Sequence, residues 1–436
     1  MEANTLNTAS KESRRETFRI LAQDVQMSND TWRTGLNNND LVIGPSGAGK
    51  TRSYVKPNLM QCNESVIVTD TKNSLYSEMK PLLEQNGYRV INVDFTNMLN
   101  SYGYNPLDYI RYDRKRGKYC EQDIVSITAC LVPIEDPRQA IWEYHARMYL
   151  SAIIGFVMEC LPPEEHTLKY VMNLFNEMDN EVFCKLFKEL GMQNPDSFAW
   201  SRFQMFKDTS KADKMHESIR GIIAQKLDTL TFDGPLQMYS RPEKVDFAAL
   251  GREKTAVFLT ISDTDRSSDR LVTMFYTQAL QALCYSADND YSDHRLPVPV
   301  RLILDDFAAN AEIPDFDKTV STIRSREIYV SIILQSLSQL NAIYGDSRAE
   351  TIVNNCDSCL YLGGHDVKTA EYISRKANKT PNTILNLPLD RAYLFRRGSQ
   401  PRLVRKYDLL SHPRYPSLPE SRSGGPARTE YPEVPA

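Results

Sequence analysis

The sequence predicts an α/β protein: a mostly parallel central sheet interrupted by an all-α insert. Three observations carry this. Short apolar, β-branched runs ("DLVI", "SVIVTD", "YRVINVDF") alternate with helical patterns from Asn38 onward, as parallel strands joined by crossover helices do. Strand-like runs then vanish between about Tyr112 and Pro242. They return after "RPEKVDFAAL" as "TAVFLTIS", "PVRLILDD", "IYVSIILQ", "SCLYLGG" and "RAYLFRR".

In order, residues 1–37 read as a polar N-terminal arm, a short helix or an extended segment. Residues 38–111 form the first part of a nucleotide-binding α/β domain, 112–242 the helical insert, and 243–410 the second part. Inside the insert, Met215, Ile219, Ile222, Ile223, Leu227 and Leu230 fall on one helical face, and Thr167 after "CLPPEEH" reads as a helix N-cap. The tail, 411–436, is rich in Pro, Ser and Glu and is expected to be disordered.

The 436 residues carry a formal net charge of -4, so no broad basic surface coats the molecule; any nucleic-acid contact must be local. The eight cysteines are scattered, which fits a reducing cytosol. Cys356 and Cys359 have only His365 nearby, too few ligands for zinc, and read as a structural pair. The N-terminus lacks the pattern of a secretory signal. The most apolar run, Tyr149 to Leu161, is shorter than the roughly 20 residues a bilayer requires and contains Glu159, so it reads as a buried helix. The expected location is the cytoplasm, with recruitment to the inner face of the membrane by another protein.

One motif carries chemistry. "GPSGAGKT" places Gly44, Gly47, Ala48, Gly49, Lys50 and Thr51 in the P-loop pattern, after a strand and before a helix. Backbone N–H groups from Gly47 to Thr51 can curl around an anion, Lys50 can reach the β and γ phosphates, and the Thr51 hydroxyl can ligate Mg²⁺. ATP and Mg²⁺ are the expected cofactors. Pro57 should end or kink the following helix within a turn or two.

Hydrolysis needs an acid at the end of a second strand and a group to polarise water. "VRLILDD" supplies Asp305 for Mg²⁺ and Asp306 for the water, although a strand ending in an Asx turn looks the same. Gln335, ending the next strand, is placed to sense the γ-phosphate, or is a solvated strand end. Arg324 and Arg326 can reach a neighbouring subunit's nucleotide, or form a solvated basic turn. Two basic stretches, Arg111 to Lys118 and Arg396 to Lys406, are candidate DNA contacts or ordinary charged faces.

Together "LNNNDLVIGPSGAGKTRSYVKPNL", "IVTDTKNSLYSE", "YGYNPLDYI", "FLTISDTDRSSDRLVTMFYTQ", "LILDDFAAN" and "STIRSREIYVSIILQSLSQL" resemble the type IV secretion coupling proteins, the TraG/TraD group of conjugation ATPases. The resemblance spans roughly Leu36 to Leu362. It implies a RecA-like motor with an inserted all-α domain, a homo-hexameric ring and ATP-driven DNA movement. The implied partners are DNA, a relaxase or relaxosome, and type IV secretion channel proteins. It gives Lys50 and Thr51 the Walker A roles, Asp305 the Walker B role and Gln335 the sensor role, and assigns contact with DNA or relaxosome proteins to the insert. The chain departs from the family pattern in three ways. Asp306 stands where the family carries Glu, about 1.5 Å (one C–C bond) shorter. Asp70-Thr71-Lys72-Asn73-Ser74 replaces Asp-x-Lys-Gly-Glu. The membrane-spanning helices of many members are missing, which implies a separate membrane-anchor protein. Two further readings stay open: a weakly hydrolysing, nucleotide-bound adaptor that recruits the relaxase, and a cytosolic FtsK-like DNA translocase.

Overall fold

The computed structural model describes residues 16–134, 138, 140–177, 180–209, 213–307 and 312–422. Among them the strands, in chain order, are β1 (Phe18–Ala22), β2 (Val25–Ser28), β3 (Asp40–Ile43), β4 (Ser65–Asp70), β5 (Arg89–Asp94), β6 (Tyr112–Asp113), β7 (Lys118–Tyr119), β8 (Thr255–Thr260), β9 (Val300–Leu304), β10 (Ile328–Leu334), β11 (Ser358–Tyr361), β12 (Arg391–Arg396) and β13 (Arg402–Arg405). The central sheet has the order β13-β12-β11-β3-β10-β9-β4-β8-β5. From β11 to β5 neighbours pair in parallel; β12 and β13 close one edge antiparallel.

Both faces of this sheet are covered, which explains the near-continuous apolar runs. Leu41, Ile43, Ile67, Leu302, Leu304, Ile332 and Leu334 point into one cluster, which continues into the helical segment. Val42, Val66, Val68, Ile303 and Ile333 point into the other, shared with the β1–β2 hairpin and the P-loop helix.

Among the described residues between β5 and β8 the only strands are the small β6–β7 hairpin, and helices run from Glu121–Leu131 to Asp233–Tyr239. The apolar run lies in the helix Ile141–Cys160, where Tyr149, Leu150, Ile153 and Val157 are buried. No helix among the described residues is long and apolar enough to cross a membrane. The Ile219, Ile223, Leu227 and Leu230 face is buried, with Met215 and Ile222 at its margin. Thr167 does not cap as expected: its hydroxyl makes no hydrogen bond among the described residues, and the Leu168 N–H donates to Asn105 Oδ1 at 3.4 Å. Among the described residues no cluster of His, Cys, Asp and Glu could hold a metal, and Cys356 and Cys359 are free thiols.

Both chain ends depart from expectation. Residues 18–28 form the β1–β2 hairpin, held by buried Ile20, Leu21 and Met27 and by a buried Arg19–Asp40 ion pair at 3.0 Å. Residues 1–15 lie outside the described set. At the other end, residues 411–422 are docked rather than loose. Leu418 is buried in the same cluster as the P-loop helix, and Arg414 donates to the Gln61 carbonyl at 2.8 Å. A composition rich in Pro and Ser conceals such single apolar pegs. The rest of the tail, 423–436, lies outside the described residues.

This docking has a pH signature. His412 Nδ1 accepts the Arg414 N–H at 3.1 Å, so the neutral ring is the bonded form. Burial, and then the Arg414 charge, pulls its pKa from 6.5 down to about 4. A histidine depressed in the folded state contributes stability that is full above the unfolded pKa and is lost as pH falls toward 4. Urea midpoints measured from pH 7 to pH 4 should fall for the wild type, and His412→Gln should flatten part of that fall.

Candidate active site

Parallel strands deliver their C-terminal ends to one edge of a sheet, where ligands bind at a crevice. Here β3 pairs with β10 through Ile43 and Leu334, and β10 pairs with β9 through Ile332 and Leu304. The residues that follow these strands therefore meet at one edge: Gly44 after β3, Gln335 after β10, and Asp305 and Asp306 after β9.

The P-loop is shaped by its glycines. A Cβ on Gly44 would stand 2.9 Å from the Ala48 Cβ, and Gly47 and Gly49 take φ of +79° and +88°, where L side chains are strained. Lys50 is buried, and its ammonium donates to the Gly44 and Pro45 carbonyls at 2.9 and 3.4 Å. The helix that follows opens with a π-turn, Thr51–Val55, and continues through Lys56–Met60. Pro57 thus neither ends nor breaks it at once. The wider turn, with the Lys56 N–H bonded to the Thr51 carbonyl, relieves the clash that an α-turn would impose on the ring.

Thr51 Oγ1 lies 3.3 Å from Asp305 Oδ2, across from the P-loop. Burial, and next the Asp306 carboxylate, pushes the Asp305 carboxyl up to about 6. A buried carboxylate facing a hydroxyl is a hard-oxygen pair that suits Mg²⁺. Asp306 has φ +48°, a left-handed backbone that Asp tolerates better than most residues, and its N–H donates to Asp305 Oδ1 at 3.0 Å. Its Oδ1 lies 3.6 Å from Lys50 Nζ and accepts from Gln335 Nε2 at 3.2 Å. Lys50, Thr51, Asp305, Asp306 and Gln335 thus form one connected group. The first four line a cavity of about 360 Å³ together with Gly47 and Gly49.

Arg324 and Arg326 are not brought there. They precede β10, whose seven residues separate them from the pocket by about 23 Å. Arg324 donates to the Thr31 carbonyl at 2.9 Å, and Arg326 forms a two-pronged pair with Asp288, both contacts 2.8 Å.

Several further residues wall or brace the cavity. The Asp70 carboxylate accepts N–H groups from Lys72, Ser74 and Tyr76, which folds the turn that puts Lys72 on the cavity wall. Lys56 pairs with Glu78 at 2.6 Å and with Glu420 of the docked tail at 3.2 Å, and both acids line the cavity. Lys406 donates to the Ala48 carbonyl at 3.0 Å, and burial pulls its pKa down to about 8. The Asp70 and Lys72 pair was visible in the family pattern. The contacts of Lys406 and Glu420 join residues more than three hundred positions apart and leave no local signal.

A family model described as "Type IV secretory system Conjugative DNA transfer" matches residues 2–383 of the chain. The chain belongs to that family. As a family member it is similar to Protein VirD4 of Agrobacterium fabrum (strain C58), 23% identical over 359 residues that cover 77% of this chain and 48% of the relative. Protein VirD4 of Rhizobium radiobacter is 23% identical over 346 residues, 77% of this chain and 47% of the relative. The chain spans about half the length of the curated relatives it matches. Among solved structures it is similar to the plasmid coupling protein TrwB in complex with the non-hydrolysable ATP analogue ADPNP, with TM-score 0.65, 17% identity and 89% of each chain covered. TrwB in complex with ADP and Mg²⁺ matches with TM-score 0.61 and 17% identity over 85% of each chain. VirB4 of Thermoanaerobacter pseudethanolicus matches with TM-score 0.55 and 14% identity, covering 89% of this chain and 96% of that one. The fold is therefore the RecA-like P-loop fold that the family resemblance implies.

Proposed function

We propose that this chain is an ATP-driven DNA translocase, the coupling protein that joins a relaxase–DNA complex to a type IV secretion channel during conjugation. The observation that carries this reading is the 3.3 Å approach of Thr51 and Asp305 beside a linked Lys50, Asp306 and Gln335. Family membership supplies the work to which that chemistry is coupled.

In this mechanism the backbone N–H groups of Gly47 to Thr51 cradle the phosphates of ATP, and Lys50 leaves its own loop carbonyls to reach the β and γ phosphates. Thr51 and Asp305 would hold Mg²⁺, which would supply charge neutralisation to the phosphates when bound. Asp306 orients the attacking water and accepts its proton. Gln335, already bonded to Asp306, reports the state of the γ-phosphate to β10. Arg326 or Arg324 acts in trans on a neighbour's nucleotide within a homo-hexamer; for Arg326 this means exchanging Asp288 for phosphate. The helical insert, 112–242, faces DNA or relaxosome proteins. A separate membrane-anchor protein recruits the chain to the inner face of the membrane.

The test is phosphate release by the purified chain with and without DNA. Turnover should rise severalfold with DNA. A rate indifferent to DNA would refute the translocase and favour the adaptor reading.

A further inference from the structure

Two basic stretches stand out in the sequence, and their environments differ. In 396–406 several cations are already engaged. Arg397 pairs with Asp357 at 2.9 Å, Arg396 donates to Ser399 Oγ at 2.8 Å, and Lys406 holds the Ala48 carbonyl. In β6–β7 the reverse holds. Asp113 spends its carboxylate on the turn: Oδ1 accepts the N–H groups of Lys115 and Arg116 at 2.9 and 3.2 Å. Its carbonyl accepts the Gly117 N–H at 2.8 Å, with Gly117 at φ +64°. Arg114, Lys115 and Arg116 are left exposed at the tip, without an ion-pair partner among the described residues.

The tip is held stiffly. Tyr112, 51% exposed, packs its ring 4.9 Å from that of Tyr119, which in turn meets His166. At the root, Arg111 pairs with Asp123 at 2.7 Å and lies 4.4 Å over the Tyr285 ring. Like charges held together without neutralisation repel one another, and an anionic partner relieves this. Preordering lowers the entropic cost of binding. A phosphate backbone supplies anions at regular spacing without regard to sequence, and an exposed tyrosine beside the cations offers a stacking face for a base.

We propose that the β6–β7 tip, through Arg114, Lys115 and Arg116 with Tyr112 beside them, grips the phosphate backbone of DNA. The assignment rests on the translocase reading and gives it a contact point. It also places the grip near the motor's other moving part. Tyr285 and Asp288 are neighbours on one turn of the helix Asp269–Asp290, so the ribbon root and Arg326 are attached to the same helical turn.

The experiment uses the full chain and a fluorescein-labelled, mixed-sequence single strand of about 30 nucleotides, with anisotropy read between about 50 and 200 mM salt. The triple variant Arg114→Ala, Lys115→Ala, Arg116→Ala should lose affinity by on the order of 100-fold at about 0.1 M salt, with its salt slope shallower by about 2. Its ATP turnover without DNA should match wild type, which reports an intact fold. A control, Arg396→Ala with Arg397→Ala, which removes cations already engaged, should bind within about twofold of wild type. If the triple variant binds DNA with unchanged affinity and slope, the assignment is overturned and the tip is left as a protein-docking feature. If wild type itself binds no DNA, the translocase reading falls, and the grip with it.

Discussion

Lys50→Ala is expected to lower ATP turnover about a thousandfold, with and without DNA, and to weaken nucleotide binding. The reason lies in where this ammonium sits. Among the P-loop side chains that line the cavity, only Lys50 is a buried ammonium held between the loop and Asp306. Its bonds to the Gly44 and Pro45 carbonyls keep it in the loop, and it exchanges them for phosphate oxygens when nucleotide arrives. Alanine removes the charge and leaves Asp306 without its cation. The measurement is steady-state phosphate release together with nucleotide titration. Turnover within tenfold of wild type would show that the grip lies elsewhere.

Asp306→Asn should separate binding from chemistry. Asparagine tolerates the left-handed backbone at φ +48° as aspartate does, and its amide oxygen can still accept from Gln335, so the geometry survives. What is lost is the capacity to take a proton. The expected result is a fall in turnover of about 10²- to 10⁴-fold with the ATP dissociation constant nearly unchanged. Single-turnover hydrolysis beside equilibrium binding makes the comparison. An Asp306→Asn rate near wild type would mean that another group handles the water.

Much of this was legible in the sequence, for identifiable reasons. The P-loop is a local motif whose glycines are fixed by backbone geometry. The acid pair announces itself because it ends an apolar strand. That Gln335 would lie beside the acid pair followed from the rule that parallel strands present their C-terminal ends together; that β10 runs between β3 and β9 did not. The rest depended on contacts that sequence does not encode locally. The β1–β2 hairpin rests on Arg19 finding Asp40, and the docked tail on Leu418 finding the P-loop helix. Asn105 caps a helix that begins at Leu168. Pro57 obeyed the rule against α-turns, but the chain satisfied it by widening the turn rather than by stopping.

The wide separation of Thr51 from Asp305, 254 positions along the chain, also bears on biogenesis. A ribosome that has just released the P-loop has not yet made β9, β10 or β11, the strands that give it neighbours. Long-range pairings of this kind close slowly, because loop entropy must be overcome before any contact compensates it. The pocket is therefore completed only after β9 and β10 have been made, more than 250 residues after the P-loop threonine.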